Sequence, residues 1–237
     1  MKHIVKLLIA SFVMVSCAEK TGNITQKNGP EAATEEPCEV SISFENADFY
    51  SEEGEFLVDK AKDAIISLME YHRYPVYDGV KEKLWVSDYG TGKFTELGLA
   101  AHLFMNNEQD KYMLMDMFLL PGQMLPEHWH LDAGELPAKR EGWLIRHGKS
   151  YVVGIGEDNM DAFPQVVVPS VHMEGQVTTR HIIEADAGMF VPLAEVYTRH
   201  WQFGGPEGAI ITEVANVHSD AHVRHSDEKI NAHFLGG

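Results

Sequence analysis

The chain has 237 residues, with 19 Lys and Arg against 36 Asp and Glu and a formal net charge of −17. That length suits one sizeable domain with appendages, and the acidity excludes a nucleic-acid or anionic-membrane surface, because no basic field would draw phosphates in. The two cysteines, Cys17 and Cys38, form no Cys-x-x-Cys pair, which excludes a zinc ribbon or a dithiol redox motif.

In chain order, Lys2 and Lys6 precede an apolar run over residues 7–15. The run is too short for a membrane-spanning helix and has the length of a secretory core. It ends in Ser16-Cys17-Ala18, which resembles a bacterial lipobox. Residues 1–16 therefore read as a lipoprotein signal peptide, with cleavage before Cys17 and lipid on its sulfur. An ordinary signal peptide with an incidental cysteine is the alternative. On the first reading the mature protein is membrane-anchored, in the periplasm or on the cell surface. Residues 17–45 read as a flexible tether, since 18–40 carry almost no large apolar side chains and cannot bury enough to fold. The folded domain is then 46–237.

From Glu53 to Tyr71 apolar residues recur at three- and four-residue spacing: Phe56, Leu57, Ala61, Ala64, Ile65, Leu68 and Met69. That is one face of a helix lying outside the main domain, stopped by Pro75. From Leu84 the texture changes to short apolar runs: Leu84–Val86, Leu97–Phe104, Tyr112–Leu120, Trp143–Ile145, Tyr151–Ile155, Phe163–Val168, Val177–Ile183, Met189–Val191, Tyr197–Phe203 and Ala209–Val214. Gly, Pro, Asn and Asp punctuate them. Short strands at this spacing predict an all-β antiparallel sandwich or barrel. The tail, Asn216–Gly237, holds His218, His222, His225 and His233 among Asp and Ser and reads as a solvated loop, with a metal-binding surface segment as the alternative.

The chemistry concentrates around Pro126-Glu127-His128-Trp129-His130. Side chains alternate along a strand, so His128 and His130 point the same way and Trp129 packs behind them. Glu141 returns after a loop, and His200 follows a Pro192 turn. Three neutral imidazoles and one carboxylate suit a divalent Mn, Fe, Co, Ni or Zn ion and leave coordination positions open for a substrate. Glu213 stands in an apolar strand, where a carboxylate is costly unless it faces a polar cavity. It is the candidate catalytic base, with an outward-facing surface residue as the alternative. Lys139, two residues before Glu141, either donates to a substrate oxygen or is a solvent lysine at a loop end.

These residues carry a resemblance. Pro121-Gly122-Gln123, Pro126-Glu127-His128-Trp129-His130, Lys139-x-Glu141, Gly148-Lys149-Ser150-Tyr151, His200-Trp201 and Ala209–Val214 look like the D-lyxose ketol-isomerase family of cupins. Asp88-Tyr89-Gly90-x-Gly92-Lys93 extends the likeness upstream, so that it covers about residues 84–225. The resemblance implies a cupin-type β-barrel (jelly roll) and a metal-dependent aldose–ketose isomerase for a small sugar such as lyxose or mannose. It further implies manganese as the leading ion, with Zn, Fe and Co as alternatives, and a homodimer. One position departs from the family. The related isomerases carry a lysine thirteen residues before the first ligand histidine, and here that residue is Met115, which cannot move protons. Two other readings are a cupin oxygenase using Fe(II) at the same ligands and a non-catalytic sugar-binding lipoprotein, which Met115 favours.

Overall fold

The computed structural model describes residues 40–236. The expected signal peptide, Cys17, Cys38 and most of the tether lie outside the described residues. Ile42 and Phe44, within the stretch read as tether, pack against the helix-side core, with the Phe44 and Phe49 rings 5.9 Å apart.

The first long element is helix α1, Val58–Tyr71. Ala61, Ala64, Ile65, Leu68 and Met69 form its buried stripe, as the spacing predicts. Burial of each larger apolar side chain in that stripe contributes about 1.5–3 kcal/mol. The residues just before it, read as part of the helix, instead bridge Tyr50 to Phe56. The helix ends where Arg73 turns left-handed at φ 54° and Tyr74 N–H donates to Met69 O at 2.7 Å, ahead of Pro75. A single turn, α2 (Val80–Lys83), leads into the sheet.

Among the described residues nine strands follow: β1 (Trp85–Ser87), β2 (Leu99–Asn107), β3 (Tyr112–Leu119), β4 (Met124–His130), β5 (Glu141–Gly154), β6 (His181–Asp186), β7 (Phe190–Pro192), β8 (His200–Ala215) and β9 (Val223–His225). They pair antiparallel into one sheet that curls into a half-barrel, the cupin architecture. The long strands β5 and β8 form its spine. Along one side of β8 runs β5; along the other, β4 meets its first residues and β3 its last. On the free side of β5 lie β6 and β7.

Each spine strand joins two runs that the sequence suggests are separate. The Gly-rich interruptions are bulges, not ends. Opposite Lys149, the one β5 residue between Gly148 and Ser150, β8 carries four residues, 205–208, three more than an unbroken ladder holds. A side chain at Gly148 (φ +67°) would collide with the Gly208 carbonyl, so the crossing needs glycine. The bulge has a consequence for chemistry. In an unbroken strand His200 and Glu213, thirteen residues apart, would face opposite sides. The inserted residues switch the alternation, so both face inward.

Three further expectations fail. Phe163–Val168 is not a strand: it follows a short 3-10 turn, Met160–Ala162, contains Pro164 and is followed by Pro169, and neither proline can donate to a ladder. Only the end of Val177–Ile183 is strand, starting at His181. The tail is not a solvated loop either. It forms β9 and a terminal helix α3, Glu228–Phe234, capped by the Asp227 carboxylate, which accepts from Lys229 N–H and Ile230 N–H. His222 and His225 are buried within it, while His233 is exposed. The His225 ring packs edge-on against Tyr89 and Phe234, and the His-rich composition hid that.

Candidate metal centre and active site

The inner face of the curled sheet is apolar where β2, β3 and β8 meet, with Leu99, Ala101, Met113, Met117, Leu119 and Ile211 in one cluster. At one end this lining gives way to polar groups. There a cavity of about 370 Å³ opens, bounded among others by His128, His130, Lys139, Trp143, Gln202 and Glu213. Its size falls in the ~300–1,000 Å³ range of small-molecule sites.

β4 presents His128 and His130 on the same face, as the two-residue spacing requires. β8 begins with His200, paired in register with His128. The ring centroids lie 4.3 Å apart for His128–His200, 5.2 Å for His128–His130 and 5.5 Å for His130–His200. One ligand nitrogen from each lies within 4.8 Å of the others, a group that could hold a metal ion. Backbone carbonyls fix two of the rings. His128 Nδ1 donates to Pro126 O at 2.9 Å and His200 Nδ1 to Thr198 O at 3.1 Å, leaving each Nε2 with a lone pair for a cation.

Glu141, the first residue of β5, places Oε1 3.0 Å from both His130 Nε2 and His200 Nε2. All three atoms are buried without a hydrogen-bond partner. Imidazole lone pairs and a carboxylate oxygen facing one another repel unless a proton or cation sits among them. Burial pushes His130 down to about 4, against the opposing pull of Glu141, so it is neutral near pH 7. The donor set of three imidazoles and a carboxylate fits a divalent ion. Glu141 is held well below the usual carboxylate range: burial works to raise it, and the His130, Lys139 and His200 charges outweigh burial.

Lys139 is buried, not at a solvent edge. Its Nζ lies 3.1 Å from Glu141 Oε2 and is also ion-paired with Glu213 Oε1. Burial disfavours the ammonium, but the two carboxylates outweigh that and raise its pKa. Glu213 is raised by burial, against the opposing pull of Lys139. It lies in β8 between Met115 of β3 and Trp143 of β5, inside the cavity and not on the outer surface. The loop before β5 is tied down so that Lys139 and Glu141 enter together. Ala138 N–H donates to Asp132 Oδ1 at 2.6 Å, and Asn216 Oδ1 accepts from Arg140 N–H at 2.9 Å.

The tryptophans divide as strand alternation predicts. Trp143, two residues after Glu141, faces the cavity with its ring 5.2 Å from His200. Trp129 turns away and stacks under Arg199 at 4.3 Å. Trp201 is buried behind His200 and donates to Thr179 O at 3.1 Å. Two supporting residues escaped the sequence reading. Glu127 is fully buried on the reverse of β4, accepting from the N–H and hydroxyl groups of Thr178 and Thr179 at 2.8–3.2 Å, which fixes the strand from behind. Gln202 is buried on the cavity side, accepting from Ser150 Oγ at 2.9 Å with its Nε2 unpartnered. The signals were present: a carboxylate directly before the first ligand histidine, on the opposite face of its strand, and a polar residue two positions beyond His200.

No family model matches the chain. It is similar to the D-lyxose/D-mannose isomerase of Thermosediminibacter oceani, 34% identical over 140 residues, which is 59% of this chain and 74% of that one. It is 30% identical to the D-lyxose ketol-isomerase of Cohnella laeviribosi over 72% of this chain and 91% of that one. Among solved structures, the fold resembles the L-ribose isomerases of an Acinetobacter species (TM-score 0.56, 12% identity) and of Cellulomonas parahominis with L-psicose (TM-score 0.54, 15% identity). Each of these likenesses covers 79% of this chain and 97% of the other.

Proposed function

The chain belongs to the D-lyxose ketol-isomerase family, and on that premise we propose that it interconverts an aldose and a ketose of a small sugar. D-lyxose with D-xylulose and D-mannose with D-fructose are the leading pairs. The ligands are His128, His130, His200 and Glu141, and manganese is the leading ion. When bound, the ion supplies a Lewis acid that polarises the carbonyl and offsets the negative charge of an enediolate.

The chain's own residues do the rest. Glu213 takes the proton from C2 of the aldose and returns it to C1, and its raised pKa suits a carboxyl that must both accept and release a proton. Lys139 hydrogen-bonds the sugar oxygens while the hydroxyl proton passes from O2 to O1. Its charge also keeps Glu141 ionised as a ligand and fixes Glu213 against rotation. The apolar lining limits the water that would compete for these protons. One observation carries this reading: a single buried ammonium joins the carboxylate beside the three imidazoles to a second carboxylate within the same cavity. Met115 lies directly across the β3–β8 ladder from Glu213. Lys139, ion-paired with Glu213, supplies an ammonium where the family's lysine is replaced. That favours turnover over sugar binding alone.

The test is to incubate Mn-loaded protein with D-lyxose in D₂O. Formation of D-xylulose with solvent deuterium on the reacting carbons is expected; a panel of aldopentoses and aldohexoses left unconverted would overturn the reading. The lipoprotein reading extends the proposal to a membrane-anchored enzyme. Lipid labelling of the full chain should disappear in Cys17→Ser, and labelling that persists would reject it. No helix among the described residues is long and apolar enough to cross a membrane.

A further inference from the structure

One buried polar group at the cavity has no part in the chemistry above. β9 lays itself along β4 so that His225 pairs in register with His128, which in turn pairs with His200. Three imidazoles therefore form a row across three neighbouring strands. The third, His225, is 5% exposed and lines the cavity, and neither of its ring nitrogens has a hydrogen-bond partner among the described residues. It is not a member of the three-histidine group that clusters within 4.8 Å, and its ring lies 5.8 Å from that of His128. Aromatic rings hold it: Tyr89 at 5.3 Å and Phe234 at 5.0 Å, both edge-on and both cavity-lining. The backbone beneath is fixed. His225 N–H donates to Asn231 Oδ1 at 3.0 Å, and Asp227, two residues on, caps α3 and accepts from Met173 N–H at 2.6 Å.

A buried imidazole with two unpaired nitrogens is costly unless a polar partner arrives from the cavity. A neutral imidazole offers one donor and one acceptor, the same pair that a hydroxyl offers. In strand order, Glu141 lies on β5, His200 and Glu213 on β8, His128 and His130 on β4, and His225 beyond them on β9. Glu213 therefore lies on the part of β8 that pairs with β3, whereas His225 lies on β9, reached across β4 from the start of β8. We infer that His225 hydrogen-bonds a substrate hydroxyl beyond the two reacting carbons, with Tyr89 and Phe234 against the sugar's apolar face, and so sets which sugars are accepted. This rests on the reading of the cavity as a sugar site.

The test is binding, followed by tryptophan fluorescence or calorimetry on Mn-loaded protein, with metal content measured in parallel. D-lyxose and its 3-, 4- and 5-deoxy analogues are titrated into the wild type, His225→Ala and His225→Gln. The expected result is that His225→Ala binds D-lyxose about 10-fold more weakly with unchanged metal. The wild type should penalise one deoxy analogue that His225→Ala no longer penalises, and His225→Gln should recover part of the affinity. Wild-type affinity in His225→Ala, a loss of metal from it, or an equal weakening of every analogue would each overturn the inference, as would a wild type that binds no sugar. A wild type that shows the expected binding pattern without converting D-lyxose removes the isomerase reading and leaves this one standing.

Discussion

The outer flank of the sheet, under α1, and the inner end, around His128 and Glu213, are built on opposite terms. Under the helix, Ile65, Leu68 and Met69 meet Phe94, Ala100, Phe118 and Ile210, all buried and all apolar. At the inner end, three buried imidazoles and three buried charged side chains crowd together, and four of their nitrogen and oxygen atoms on His130, Glu141 and His200 lack any hydrogen bond. The first region stabilises through area removed from water. The second costs stability and holds charge in position for chemistry. β8 belongs to both: Ile210 faces α1 while His200 and Glu213 face the cavity. The comparison teaches that damage to either face of one strand should be separable.

The largest effect is expected from Glu213→Gln, which keeps the shape and removes the base. Isomerisation should fall by roughly 10²–10⁴-fold while metal content and thermal midpoint stay near wild type. Turnover within a few-fold of wild type would remove Glu213 from its role. Leu68→Ala should do the reverse. Urea unfolding should record a loss of about 2–5 kcal/mol, with turnover per folded molecule unchanged. A fall in turnover without a shift in midpoint would join the two regions that are separated here.

A smaller effect is expected from acid. Burial, together with the neighbouring His172 and His130, pushes His225 down to about 3, against the opposing pull of Asp227. The unfolded chain takes up this proton near pH 6.5 while the folded chain does not, so the unfolded state binds more protons between those values. Stability is therefore full above about pH 6.5 and declines by about 1.4 kcal/mol per pH unit toward pH 3. Metal-free protein should lose on the order of 2 kcal/mol between pH 7 and pH 5 from this group. His225→Phe should flatten that part of the profile, and an unchanged slope in the variant would contradict it.

What was legible in the sequence follows the same division. The α1 stripe could be read because each apolar residue at helical spacing reports one burial. His128 and His130 could be read because a period of two fixes their common face. The joining of runs into β5 and β8 was hidden, since the Gly148 and Gly205–Gly208 interruptions look like turns and act as bulges. The inward aim of Glu213 depends on that bulge, so local alternation could not decide it. Lys139 was ambiguous because its partners, Glu141 and Glu213, meet only after the sheet curls. The tail misled because its histidines and aspartates read as solvated, although Ile230 and Phe234 at helical spacing behind Asp227 were a cap-and-helix signal.

The centre itself is tested most directly by elemental analysis of the purified protein beside His200→Ala. Three imidazoles and Glu141 around one cation predict a divalent ion bound to each wild-type chain and largely absent from the variant. A variant that keeps its full complement of metal would contradict the four-ligand centre on which the chemistry rests.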